Sequence, residues 1–167
     1  MSIELPLYHQ RKRNTCALAC LRMVLAAYGR KVQESELEAQ ARMEPKGTAI
    51  DELERLALQY QIVAENQETT VEELRELLAQ GKWPIVYIDR VVFDLRPRQR
   101  ARHSIRDAII HNVIPTQVTA TSVTFHDPRQ PRITRKTARL FGQAFTSLGG
   151  RCVVCSNLKG RAGPSPS

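Results

Sequence analysis

One cysteine in the first part of the chain has the surroundings expected of a nucleophile. Cys16 begins a run in which apolar residues recur at steps of three and four, the spacing of a helix with one buried face. In the first turn of a helix, the helix dipole lowers the pKa of a thiol and favours the nucleophilic thiolate. Gln10, six residues earlier, carries an amide that could bind a developing oxyanion. A small buried hydrophobe at a helix start would show the same pattern.

A cysteine nucleophile needs a general base, and the chain has four histidines. His111 begins the apolar stretch HNVIP, which we interpret as a strand, and Asp127 follows sixteen residues later at the end of the next predicted strand. Two adjacent antiparallel strands can place the Asp127 carboxylate beside one imidazole nitrogen, which leaves the other nitrogen for Cys16. The alternative is a buried histidine with a hydrogen-bonded partner, followed by an Asp-Pro turn that ends a strand.

The elements that must position these residues change in type along the chain. Apolar periodicity predicts helices over residues 16–28, 33–42, 49–60 and 70–80, and Thr70 with Glu73 and Thr48 with Asp51 have the spacing of capping boxes. Strands are predicted at residues 61–65, 83–89, 108–115, 119–126, 132–134 and 151–156, with one more helix at 137–145. This order predicts an α+β fold with an antiparallel sheet packed on the leading helices. Residues 1–158 would form one domain, and the Pro-, Ser- and Gly-rich residues 159–167 a disordered tail.

The basic residues are concentrated in one segment. The net charge is +8, which implies acidic partners. Residues 90–106 hold six arginines against one acid and show no clear periodicity. We interpret residues 90–107 as an insertion or flap beside the cleft that attracts acidic substrates, and a solvated surface loop is the alternative. Aromatic residues make up only 5% of the chain, which argues against a base-stacking surface for nucleic acid.

Other features exclude several classes of protein. The start of the chain lacks the apolar segment of a signal peptide, and no apolar run approaches the roughly 18 residues of a membrane helix. We therefore expect no membrane segment, a cytoplasmic location and reduced thiols. The four cysteines form C-x3-C and C-x2-C pairs, which could together bind zinc. A strand at residues 151–156 would turn Cys152 and Cys155 to opposite faces, so we expect neither a metal nor a cofactor.

The combination of these residues resembles a known family. A glutamine six residues before a helix-starting cysteine, a later His-x-Val and a later Asp-Pro are similar to the motifs of papain-like cysteine peptidases of the C39 type, which process bacteriocin leaders or stand alone. The matching residues are Gln10, Cys16, His111-Asn112-Val113 and Asp127-Pro128. The resemblance spans residues 10 to about 154 and departs from the family at Thr15-Cys16-Ala17, where Asp-Cys-Gly is usual.

The resemblance implies a papain-like fold and a peptidase that acts on a peptide or protein. In such a site Cys16 attacks, His111 is the base, Asp127 orients it and Gln10 donates to the oxyanion. The best-known members are fused to an ABC transporter and cut after a Gly-Gly leader. The same site could instead perform isopeptide cleavage or acyl transfer. Some relatives are silent leader-peptide binders that lack the cysteine, and nucleic-acid binding through the arginine-rich segment is a further alternative.

Overall fold

Most helices precede most strands, in the order that the sequence predicts. The computed structural model describes residues 4–158. The helices are α1 (Cys16–Ala27), α2 (Glu34–Gln40), α3 (Ile50–Gln59), α4 (Val71–Ala79), α5 (Val91–Asp94), α6 (Pro97–Arg100) and α7 (Ala138–Thr146), with a 3-10 turn at Ile105–Asp107. The strands are β1 (Met43–Glu44), β2 (Gly47–Thr48), β3 (Ile62–Glu68), β4 (Trp83–Asp89), β5 (Ile110–Val118), β6 (Ser122–His126), β7 (Thr134–Thr137) and β8 (Arg151–Asn157). The predicted α+β class is confirmed. The tail predicted at 159–167 lies outside the described residues.

Helix α1 has Cys16 as its first residue and runs through the core. Ten of its 12 residues are buried, so its packing is fixed on nearly every side. Thr15 occupies the N-cap position, but its hydroxyl exchanges hydrogen bonds with the backbone of Lys12 instead of capping the helix. Gly29 follows the C-cap residue and ends the helix with a φ of +81°, a conformation that suits glycine better than any residue with a Cβ.

The two predicted capping boxes have different outcomes. At α4 the Thr70 hydroxyl accepts from the Glu73 backbone N–H, and the Glu73 carboxylate accepts from the Thr70 backbone N–H, as predicted. At α3 the prediction is wrong, because the N-cap is Ala49 and no side chain caps it. Thr48 instead pairs with Met43 in the β1–β2 hairpin. Thr48 therefore belongs to a hairpin strand and does not cap α3.

Six strands of the described residues form one antiparallel sheet in the order β3-β8-β4-β5-β6-β7. The last strand, β8, is inserted between β3 and β4 and pairs with both. The β4–β5 pair sets Ile88 opposite His111 and Tyr87 opposite Asn112. The sheet therefore brings the start of β5 next to the end of β4. The site residues lie at this end of the two strands.

Both faces of the sheet are covered by helices. One core joins α1, α2 and α3 to residues such as Ile85 and Ile114. The other joins α4, α5 and α7 to residues such as Val86, Val113 and Phe125 on the opposite face. Successive residues of a strand point to opposite faces, which is why the neighbours Ile85 and Val86 belong to different cores. The sequence did not predict the second layer.

The arginine-rich segment is folded rather than looped. It forms α5, α6 and the 3-10 turn, so the prediction of a segment without regular structure is wrong in this respect. Val92 is buried in the core with α7. The His103 ring binds the fully buried carboxylate of Asp89 with an Nε2–Oδ2 distance of 2.5 Å. Helices of four residues leave no periodic signal in the sequence.

The four cysteines are all free and buried. Cys155 belongs to the core with α1, and Cys152 to the core with α7, so the two lie on opposite faces of β8. Within residues 4–158, no three His, Cys, Asp or Glu side chains are grouped to hold a metal ion. In the same range, every helix is too short or too polar to span a membrane.

Candidate active site

The loop before α1 is tied down at two points. The Gln10 backbone N–H donates to the carbonyl of Pro128 at 2.9 Å, which places the loop beside the Asp127-Pro128 turn. The Arg11 backbone N–H donates to Glu34 Oε1 at 2.8 Å, and Glu34 is fully buried in α2. The entry to α1 is therefore fixed from the sheet side and from the helix side.

Cys16 lies against the start of β5. Its thiol donates to Asn112 Oδ1 with an Sγ–Oδ1 distance of 3.4 Å. One helical turn later, the Cys20 thiol donates to the Asn112 carbonyl at the same distance. The neighbouring His111 ring is near enough to Cys16 for each group to shift the pKa of the other. The structure thus brings the predicted nucleophile and the predicted base together.

The ring of His111 is held from its other side. His111 Nε2 lies 2.7 Å from Asp127 Oδ1, and both residues are buried. The same carboxylate oxygen accepts from the Arg129 backbone N–H at 2.8 Å, which fixes it in place. Because Nε2 is used by Asp127, Nδ1 is the nitrogen left for Cys16. The sequence predicts this arrangement, in which the His111 ring lies between Asp127 and Cys16.

The electrostatics of the three groups are coupled. Burial raises the pKa of Cys16, but the hydrogen bond and charge of His111 outweigh it, and the net pKa lies below the usual thiol value. Burial lowers the pKa of His111, but hydrogen bonds to Asp127 and Cys16 raise it above the usual imidazole value. Burial raises the pKa of Asp127, but interactions with His111 and the Arg129 N–H outweigh it, and the net pKa lies below the usual carboxyl value. The opposite shifts of Cys16 and His111 bring their two pKa values closer together, which makes proton transfer from the thiol to the imidazole easier.

The other three cysteines have the opposite electrostatic character. Complete burial raises the pKa of Cys20 well above the usual thiol value. Burial also raises the pKa of Cys152 and of Cys155, each to about 12. Cys16 is therefore the thiol with a depressed pKa.

The other three histidines have different environments. His9 is exposed, and His103 is paired with Asp89. Burial lowers the pKa of His126. These placements leave His111 as the ring beside Cys16.

The amide of Gln10 is occupied by its own loop. Its Nε2 donates to the carbonyl of Lys12 at 2.6 Å and to that of Arg13 at 3.1 Å. Both amide hydrogens are thereby used, while Oε1 is buried without a partner among the described residues. The Gln10 amide could donate a hydrogen bond to an oxyanion only after it breaks its hydrogen bonds to those two carbonyls.

Sequence reasoning assigned no role of their own to three residues that shape the site. Glu34 anchors the loop, Asn112 contacts the Cys16 thiol, and Tyr87 lies opposite Asn112. Strand alternation could have found Asn112, since consecutive residues of β5 point to opposite faces and Asn112 shares the α1 face with Ile114. No local signal marks Glu34, whose role depends on the packing of α2 against a distant loop.

The comparison with protein families decides the relationship. The model of the peptidase C39 family matches residues 4–92, slightly more than half of the chain. The chain belongs to the C39 peptidase family. The matched part of this C39 protein contains Gln10 and Cys16, whereas His111 and Asp127 follow it.

Solved structures show the same C39 fold. A protein from Bacillus anthracis described as a C39-like peptidase has a TM-score of 0.73 at 16% identity, with 92% of this chain and 95% of that one covered. A double glycine motif protease from an AMS/PCAT transporter, in complex with its leader peptide, has a TM-score of 0.67 at 18% identity, with 92% of each chain covered. A third structure is the peptidase domain of Streptococcus ComA, a bifunctional ABC transporter involved in a quorum-sensing pathway. It has a TM-score of 0.68 at 15% identity, with 92% of this chain and 99% of that one covered.

At these identities the similarity establishes the fold. No curated protein matches the sequence significantly.

Proposed function

We propose that this C39 protein is a cysteine peptidase that hydrolyses a peptide bond through a thioester. One observation carries the proposal. Cys16 and His111 share a buried cluster with Asp127, and the pKa of the thiol is lowered while that of the imidazole is raised. Opposite pKa shifts of this kind favour a nucleophile and an acid in the same site.

In the first step, His111 takes the proton of the Cys16 thiol, and the resulting thiolate attacks the carbonyl carbon of the scissile bond. The backbone N–H of Cys16 is available to the oxyanion, because the first N–H groups of a helix have no partner within it. Gln10 Nε2 supplies the second donor once its amide turns away from the carbonyls of Lys12 and Arg13.

In the second step, the His111 imidazolium gives its proton to the leaving amine, and the C–N bond breaks to leave a thioester on Cys16. Neutral His111 then takes a proton from water, which attacks the thioester carbonyl and releases the acid and the thiol. Asp127 holds the ring through Nε2 during both steps, so that Nδ1 carries the transferred proton. The reaction needs no metal or cofactor.

The substrate in this proposal is a peptide or protein with small residues before the cleaved bond, such as Gly-Gly, and with acidic residues nearby. The solved relative described as a double glycine motif protease, bound to a leader peptide, supports the first feature. Arg96, Arg98 and Arg102, which are exposed, support the second. Four free thiols agree with a reducing, cytoplasmic compartment.

A peptide that ends in a thiol-directed electrophile tests the proposal. The expected result is stoichiometric labelling of Cys16, located by mass spectrometry, and hydrolysis of peptides from a library by the wild type but not by Cys16→Ala. Binding of peptides without hydrolysis would instead show a silent leader-peptide binder. Transfer to an added amine in place of water would show an acyl transferase, and a linkage on a lysine side chain as the preferred substrate would show an isopeptidase.

A further inference from the structure

A buried amide beside the nucleophile has a donor that is not used. Asn112 is 4% exposed, and its Oδ1 accepts the Cys16 thiol. Its Nδ2 is buried without a hydrogen-bond partner in residues 4–158. Buried amide N–H groups are nearly always paired, so an unpaired one next to a reactive sulfur needs an explanation.

A second unpaired group lies next to this amide. The Tyr87 hydroxyl is buried and also lacks a partner in full hydrogen-bond geometry among the residues that the structure describes. Tyr87 and Asn112 are cross-strand neighbours in the β4–β5 pair. Burial raises the pKa of Tyr87, and hydrogen bonding to the Asn112 side chain lowers it in part, so the amide lies directly beside the hydroxyl.

The resting contact suits the thiol and not the thiolate. With the proton on sulfur, S–H donates to Asn112 Oδ1. When the proton leaves, a negative sulfur faces a carbonyl oxygen, and both are acceptors. A half-turn of the amide about its Cβ–Cγ bond would present Nδ2 to the sulfur and Oδ1 to the Tyr87 hydroxyl. The two groups that are unpaired in the resting site would then both be paired.

We propose that Asn112 is a catalytic residue that stabilises the Cys16 thiolate through Nδ2–H···S⁻, and that Tyr87 is the positioning residue that holds the turned amide through its hydroxyl. The inference rests on the proposed function only in taking Cys16 as the nucleophile. It adds a neutral donor to a site in which His111 supplies the positive charge.

The groups that face the sulfur come from every element around it. His111 acts on it from β5, together with the backbone N–H groups of Asn112 and Ala17, and the side chains of Cys20 and Tyr87 lie near it on α1 and β4. Asp127 acts on the sulfur through His111. Cys20 and Tyr87 keep their protons at neutral pH because burial raises the pKa of each. The titration of Cys16 is therefore coupled chiefly to His111, and a change at Asn112 can be measured against that background.

The test is the pH dependence of Cys16 alkylation by iodoacetamide, with the ultraviolet absorbance of the thiolate as a second readout. Asn112→Ala removes the donor without adding charge, and Asn112→Asp replaces it with an acceptor of the same size. Asn112→Ala should raise the midpoint of the Cys16 titration by about 1–2 pH units, the size expected for a hydrogen bond to a charged group. Asn112→Asp should raise it by more, because it also adds a negative charge. Tyr87→Phe should move it in the same direction by less.

Asn66→Asp is the matched control, because it makes the same charge change at an exposed position of β3 and should leave the midpoint unchanged. Circular dichroism checks that each variant is folded, and Tyr87→Phe keeps the test informative if an Asn112 variant fails to fold. An unchanged midpoint in both Asn112→Ala and Tyr87→Phe would overturn the inference. If the midpoints rise as expected while no peptide is cut, the inference stands and the peptidase proposal fails.

Discussion

His111 Nε2 lies 2.7 Å from Asp127 Oδ1, although the two residues are not cross-strand partners. Ile114 pairs with His126, and Asp127 is the residue after that pair. Its carboxylate therefore reaches diagonally from the end of β6 to the start of β5. Contact across a diagonal fixes the plane of the ring as well as its protonation, so a change at Asp127 should affect both.

Asp127→Asn should lower kcat by about 10²–10⁴-fold, and His111→Ala should lower it further, because the first variant loses orientation and the second loses the base. The pH profile should also change. The Asp127 carboxylate raises the pKa of His111, so imidazolium persists to a higher pH in the wild type. In Asp127→Asn the alkaline limb of kcat/KM should move to lower pH. An alkaline limb at the wild-type position would show that Asp127 does not act on the ring, and exposed His9→Ala serves as the control.

Iodoacetamide at pH 6 should label Cys16 first in the folded protein. The pKa of Cys16 is lowered by His111, whereas burial raises that of Cys20, Cys152 and Cys155. Cys16→Ala should lose this labelling and all turnover while it keeps the fold. Protein unfolded in urea is the control, since all four thiols should then react alike. Faster labelling of Cys152 or Cys155 in the folded state would contradict the assignment.

Gln10→Ala should lower kcat by about a hundredfold and change KM little, because an oxyanion donor acts mainly in the transition state. Gln117→Ala, at an exposed position of β5, is the matched control. Steady-state kinetics on one peptide are sufficient. Unchanged kcat would mean that the Gln10 amide stays on the carbonyls of Lys12 and Arg13 throughout the reaction.

Replacement of Arg96, Arg98 and Arg102 with Ser should slow the cleavage of an acidic peptide at low salt. These side chains are exposed, whereas Arg100 binds the Leu95 carbonyl and is left in place. Exposed charges act chiefly on the encounter rate and are screened over about 8 Å in physiological salt, so the effect should fade as salt is added. A neutral peptide should be cut at the wild-type rate. If the variant cuts both peptides at the wild-type rates at low salt, the segment has no steering role.

His103→Ala should expose the arginine-rich segment to trypsin. The His103–Asp89 contact ties this segment to the end of β4, and its loss should raise the population of locally open states. The measurement is the rate of cleavage after arginines 96–106 by peptide mapping. His9→Ala should be cut like the wild type. If His103→Ala is cut no faster, other contacts such as buried Val92 hold the segment.

Local signals in the sequence were sufficient for the elements with strong periodicity. Strand β4 has the predicted bounds, α1 begins at the predicted residue, and Thr70 caps α4 as predicted, because apolar spacing and a capping box act over a few neighbouring residues. The nearness of His111 to Asp127 follows from the pairing of adjacent strands. The role of Glu34 could not be predicted, because it arises where α2 packs against a distant loop, whereas strand alternation in β5 was sufficient to place Asn112 on the α1 face. The occupied amide of Gln10 likewise depends on the exact path of its loop.

The insertion of β8 between β3 and β4 has a consequence for biosynthesis. Residues Arg151–Asn157 supply the central partner of the sheet, and both cores include side chains from them. Until the ribosome has released this strand, β3 and β4 lack their shared neighbour and the platform beneath α1 is incomplete. Long-range pairing of this kind forms late in folding. A nascent chain that has not yet reached Arg151–Asn157 therefore lacks the complete sheet against which Cys16 and the start of α1 are held.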